Sequence, residues 1–141
     1  MNQKAQVVVA YLDGRRAKGY VYDFSAMKDR FFLFPEDSAH AQGSQAPQAS
    51  RGTEILLAHL KALFFVKDFA GNPGYREVTP AGARGHGRKL EVTFKDGEHQ
   101  TGVTEAYNPQ KLGFFMFPAD PNSNNDRIFV VNRNVETVKM L

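Results

Sequence analysis

Residues 7–37 read VVVAYLDGRRAKGYVYDFSAMKDRFFLFPED, and residues 90–120 read LEVTFKDGEHQTGVTEAYNPQKLGFFMFPAD; the two align without a gap at an offset of 83. Ten of the 31 positions are identical: Val9 with Val92, Asp13-Gly14 with Asp96-Gly97, Gly19 with Gly102, Lys28 with Lys111, and Phe31, Phe32, Phe34, Pro35 and Asp37 with Phe114, Phe115, Phe117, Pro118 and Asp120. Turn residues and core-type residues recur together, which reads as an internal duplication. The chain must then fold twice into the same short unit, each near the lower size limit for a self-sufficient core.

Each copy opens with a strand, about Val7 to Leu12 and Leu90 to Lys95. In the second, Leu90, Val92 and Phe94 alternate with Glu91, Thr93 and Lys95, the period of a half-buried strand. Asp-Gly follows in both copies and predicts a tight primed hairpin turn, because Gly accepts the positive φ such a turn needs. A second strand runs from about Arg16 to Phe24 and from about His99 to Tyr107, with Gly19 and Gly102 inside it; a mid-strand Gly predicts a bulge or a sharp bend. The third strand is FFLFP or FFMFP, ended by Pro35 or Pro118, which have no amide hydrogen to donate.

The ends of the halves correspond more loosely, Ile55–Val66 with Ile128–Leu141. Apolar residues at 56, 57, 60, 63 and 64 fit a helical stripe as well as strands. Asn132, Asn134 and the β-branched residues of the second copy disfavour a helix, so strand, one-turn connection and strand is the expectation for both, with the last two strands at about Arg127–Val131 and Thr137–Leu141.

Two segments fall outside the repeat. Residues 38–53, SAHAQGSQAPQASRGT, form a flexible loop, and the Gly- and Pro-rich residues 70–88 form a linker. The expected organisation is a first unit over 1–69, that linker, and a second unit over 89–141. Five short strands with a bent second strand describe a small barrel, so the expected fold class is mainly β: two tandem five-stranded β-barrels.

Composition narrows the function. The chain has 141 residues with 12 Phe, 42% hydrophobic residues and a net charge of +3, values that fit a packed core rather than a disordered chain. The absence of Cys excludes disulfides and Cys-ligated metals. The longest apolar window, Ile55–Val66, is short of the roughly 20 residues of a membrane span and contains His59 and Lys61. The opening MNQKAQVVVAYLDG lacks the apolar region of a signal peptide. The expectation is a cytoplasmic protein away from membranes.

The order of strand, DG turn, long bent strand with a central Gly, aromatic strand and two strands split by a short turn resembles the Sm-like and SH3-like small β-barrels, over both halves. The phrases LKALFFVKDF and FPADPNSNN are similar to a bacterial family of uncharacterised small proteins and domains. The Sm-like resemblance implies RNA or single-stranded nucleic-acid binding; the resemblance to the uncharacterised family implies no activity.

No constellation of catalytic residues stands out. His40, His59, His86 and His99 lie far apart without metal spacing, and GxSxG, the phosphate-loop pattern and GxGxxG are absent. Asp37 and Asp120 recur after FxFPx as potential ligands, though an Asp after Pro more often caps a turn. No enzyme activity, cofactor or metal is therefore expected. The aromatic strands are core elements with one face that becomes a binding patch if exposed. The candidate nucleic-acid contacts are Arg15, Arg16 and Lys18 beside the first DG turn and Arg84, Arg88 and Lys89 in the Gly-rich segment, with Arg76 nearby. The first cluster is not repeated: its counterparts are Glu98, His99 and Thr101. PilZ-type cyclic-dinucleotide domains are a weaker resemblance: Asp23-Phe24-Ser25 supplies DxS, but position 28 is Lys where Gly is required, and no RxxxR lies upstream. The leading expectation is a non-enzymatic module that binds a protein partner and forms a homodimer; nucleic-acid binding is the alternative.

Overall fold

The computed structural model describes residues 4–22, 24–35, 52–69, 87–118, 120 and 122–141. The described chain is mainly β. Ten strands follow in order: β1 (Lys4–Tyr11), β2 (Arg16–Tyr22), β3 (Arg30–Pro35), β4 (Thr53–Leu56), β5 (Leu60–Val66), β6 (Arg88–Phe94), β7 (His99–Thr104), β8 (Gly113–Met116), β9 (Asn125–Val131) and β10 (Val135–Met140). One-turn 3₁₀ helices, Leu57–His59 and Asn132–Asn134, join β4 to β5 and β9 to β10. The helical reading of the Ile55–Val66 window is thereby excluded.

The strands form a seven-stranded sheet, β4-β3-β2-β1-β5-β9-β8, and a three-stranded sheet, β10-β6-β7. A bridge between Val103 and Phe117 links β7 to the end of β8. Within each half the order is therefore fourth, third, second, first, fifth. The registers match as well: Val7 faces Gly19 as Leu90 faces Gly102, and Tyr20 faces Phe34 as Val103 faces Phe117. Among the described residues the ladders do not close into two separate barrels. Instead β5 of the first half pairs antiparallel with β9 of the second, and the halves share one sheet.

This sharing explains the apolar runs LKALFFV and IFVV. A strand covered on both faces reads as continuously hydrophobic. In β5, Leu60, Leu63 and Phe65 face one core with Val7, Val9, Phe31 and Leu33, while Ala62, Phe64 and Val66 face a second core with Leu90, Val92, Phe114 and Met116. β9 does the same in reverse: Phe129 and Val131 enter the first core, Ile128 and Val130 the second.

Three expectations need correction. The DG turns are not two-residue primed turns. Gly14 donates to the Tyr11 carbonyl at 3.1 Å and Tyr11 to Arg15 at 2.9 Å, so Leu12 and Asp13 are the central pair and Gly14 follows at φ 94°; Gly97 repeats this at φ 92°. This is the three-residue loop with a left-handed Gly. Gly19 and Gly102 mark no register shift. They allow close approach of the next strand: a Cβ on Gly102 would lie 2.8 Å from the Phe117 carbonyl oxygen, and one on Gly19 would clash with that of Phe34. Among the described residues, register shifts lie instead in the fifth strands, at Lys61 and Glu136, and in β9 at Asp126. Finally, Ile55 occupies the place of Val130 rather than Ile128, since Phe31 faces Ile55 as Phe114 faces Val130. The two alignments differ by two residues, one strand period, and hydrophobic alternation cannot separate them.

Candidate binding surfaces

Polar contacts tie the halves together beside the shared sheet. The Asn134 side-chain amide donates to the Ala58 and Leu60 carbonyls at 2.9 and 2.7 Å. Asn124 is clamped to the strand end of the first half: Lys67 N–H donates to its carbonyl at 2.8 Å, Asp68 N–H to its Oδ1 at 3.1 Å, and its Nδ2 to the Asp68 carbonyl at 2.9 Å. The phrases LKALFFVKDF and FPADPNSNN thus meet in space. Lys61 is buried and donates to Asp96 Oδ2 at 2.7 Å and to Glu98 Oε1. Burial pushes the Lys61 ammonium down, but the bonds it donates to the two carboxylates outweigh it and hold its pKa above the usual lysine range. The same bond from Lys61, opposed by burial, holds the Asp96 carboxyl below the usual carboxylate range.

Two surfaces are left open. The first is the outer face of β2 and β3. Phe31 and Leu33 enter the core, whereas Phe32 is 52% exposed and Tyr22 39%. Tyr22 meets Phe34 edge-on at 5.2 Å, and Tyr20 beside them carries the Lys4 ammonium 4.3 Å above its ring. In the second half the residue corresponding to Phe32 is Phe115. There Phe115 itself is covered, 5.0 Å from Phe129, 6.0 Å from Phe65 and 6.3 Å from Phe24, with the Arg127 guanidinium 4.6 Å from its ring, while Phe117, the counterpart of Phe34, is 44% exposed. The difference follows from the topology, because β5 and β9 bring the first core against Phe115 and nothing described lies over Phe32 in the same way.

The second surface is a cleft of about 390 Å³ between the halves. One wall comes from Asp29, Arg30 and the segment Leu56–Ala58; the other from Pro109, Lys111, Leu112 and the segment Val131–Arg133. Both walls are pinned. Leu57 N–H donates to the Asp29 carbonyl at 3.0 Å. The Asn132 side chain donates to the Asn108 and Lys111 carbonyls at 2.8 and 2.9 Å, and its N–H to that of Leu112 at 3.0 Å. Asp29 and Glu54 bind the Arg30 guanidinium at 3.2 and 3.1 Å and raise its pKa, Asp29 most strongly.

The sequence-derived basic candidates do not gather into one patch. Arg15 is paired with Asp13 at 2.7 Å, Arg16 lies 3.9 Å from Glu98, and Lys18 donates to the Phe69 carbonyl at 2.8 Å. Arg88 and Lys89 begin β6, some six residues along that strand from the turn holding Glu98, or about 20 Å. Arg76 and Arg84 lie outside the described residues, as do Asp23, Asp37, His40 and His86. Asp120 caps a turn, accepting the Asn122 N–H at 2.8 Å, and Ser25 accepts that of Met27 at 3.2 Å. Lys111 and Arg133 escaped the sequence reading because their neighbourhood exists only where the two halves meet; the recurrence of Lys28 at Lys111 was the one available signal.

Among the described residues no group of three His, Cys, Asp or Glu could hold a metal ion, and no helix is long and apolar enough to cross a membrane. No curated protein and no solved structure matches the chain. The match to a family described as a family of unknown function, DUF6982, runs over residues 3–141, from the first strand to the last residue, and the chain belongs to that family.

Proposed function

We propose that this protein is a non-enzymatic binding module, two Sm-like or SH3-like units of a duplicated β fold whose task is to hold a protein partner. The identical strand order and registers of the two halves support the duplication. The observation that carries the binding reading is the contrast between Phe115 and Phe32. The same strand position is packed by neighbouring aromatics in one half and 52% exposed in the other. An uncovered aromatic face of this kind is an interaction surface, and a partner's apolar surface would take the place that the first core takes over Phe115. A second copy of the chain is one such partner. Single-stranded nucleic acid has less support, since Arg15, Arg16 and Lys18 are already engaged within the chain.

The test is photo-crosslinking in cells from a reactive aromatic residue placed at position 32, with position 139, on the exposed surface of β10, as the control. A discrete protein adduct from position 32 alone is expected, and its mass separates a second copy from another protein. Equal labelling from both positions would remove the proposal. Salt-sensitive capture of single-stranded RNA by the unmodified protein in a filter-binding assay would replace it with the nucleic-acid reading.

A further inference from the structure

We infer that the cleft between the halves is a second, separate binding site, one that takes a short acidic peptide segment carrying aliphatic side chains. Two features of the cleft point there together. Its floor is aliphatic: Leu57, Leu112 and Val131 line it, and among the described residues no aromatic ring does. A site for single-stranded nucleic acid gains much of its affinity from bases stacked on aromatic rings, so this lining suits a leucine- or valine-like side chain better than a base. One wall of its rim carries two cations, and the charged lining residues of the other wall, Asp29 and Arg30, form an ion pair with each other. Lys111 and Arg133 are exposed and, among the described residues, form no ion pair, whereas Arg30 is already held by Asp29 and Glu54. Acidic side chains flanking a buried aliphatic one would meet those two charges, and charge complementarity selects them over neutral or basic segments.

The site is also built in advance. Asn132 holds the segment bearing Lys111 against the 3₁₀ turn bearing Arg133, and the Leu57 N–H bond to Asp29 fixes the opposite wall. Binding then costs little ordering of the protein. A volume of about 390 Å³ is at the small end for ligand sites, enough for one or two side chains of a peptide and not for a folded surface. The two cations are unequal in origin. Lys111 recurs as Lys28 in the first half, but the place of Arg133 in the first 3₁₀ turn is taken by Ala58, so both of these cations come from the second half while the floor comes from both.

The experiment is a titration of the full chain with a blocked hexapeptide, Asp-Glu-Leu-Leu-Glu-Asp, followed by methyl chemical shifts of Leu57 and Leu112. Saturable, sub-millimolar binding that perturbs both methyl groups is expected. It should weaken about tenfold in the double variant Lys111→Gln with Arg133→Gln, two exposed pairs at about 0.7 kcal/mol each. A peptide with Ser in place of both Leu should bind more weakly still. Lack of saturable binding, unchanged binding by the double variant, equal binding of Lys-Lys-Leu-Leu-Lys-Lys, or tighter variant-sensitive binding of hexauridine would each overturn the proposal. Both substitutions are at exposed positions, and an unchanged melting temperature shows that the fold is intact. The readout at Leu57 and Leu112 is independent of the face around Phe32, so failure of either site leaves the other standing.

Discussion

The Asn134 side chain donates a hydrogen bond to the Leu60 carbonyl at 2.7 Å, across 74 residues of sequence and from one half of the chain to the other. With its second bond, to Ala58, it satisfies two carbonyls at the turn where β4 passes into β5. Asn134 is buried, so no water replaces it easily. Asn134→Ala removes the donor from the buried Leu60 carbonyl and the part-buried Ala58 carbonyl and should cost about 1–3 kcal/mol of stability, read from urea unfolding followed by circular dichroism. A loss under 0.5 kcal/mol would mean that the bonds are exchanged for water.

Lys61, unpaired at the β5 bulge, reaches across to Asp96 and Glu98. Asp96 has its pKa lowered by Lys61, so the unfolded chain takes up a proton at higher pH than the folded one. The stability from this contact is therefore complete above the unfolded value of about 4 and is lost as pH falls through the lower folded value. Melting temperatures between pH 7 and pH 2.5 should fall more steeply for the wild type than for Asp96→Asn. For Lys61 the sign is opposite, and its contribution fades only as pH rises above the usual lysine value of 10.5.

Gly14 and Gly19 are both repeated as Gly, for different reasons. At Gly14 there is open space and φ is 94°, so Gly14→Ala costs only the left-handed backbone, about 1 kcal/mol. At Gly19 an added Cβ strikes the Phe34 carbonyl and Leu33, and β3 must move. Gly19→Ala should cost the larger amount, about 2–3 kcal/mol. Equal losses in chemical denaturation would show that the β2–β3 contact is more yielding than its geometry.

Phe129 and Phe32 lie at opposite ends of the burial scale, at 0% and 52% exposure. Phe129→Ala empties a place among Phe24, Phe65 and Phe115 and should cost about 3–5 kcal/mol. Phe32→Ala should change stability by about 0.5 kcal/mol or less. A large loss at Phe32 would mean that it is a packing residue and would count against a binding role.

The sequence by itself determined the repeated elements. The matched DG turns, the strand alternation and the Pro residues that end the third strands are local signals, and strands form around them at both places. That alternate residues of FFLF and FFMF fill a core was legible, but the phase was not, and the structure puts Phe31 and Phe114 inside. What the tertiary structure alone decided is how the halves meet. The pairing of β5 with β9, the two-core role of those strands, and the cleft with Lys111 and Arg133 on its rim rest on contacts between residues far apart in the chain. The continuous apolar run at Ala62–Val66 recorded that something covers both faces. It could not say what, because hydrophobic burial is non-directional. That choice was left to the register, the Asn134 and Asn124 hydrogen bonds and the Lys61 pairing, which only the folded chain brings together.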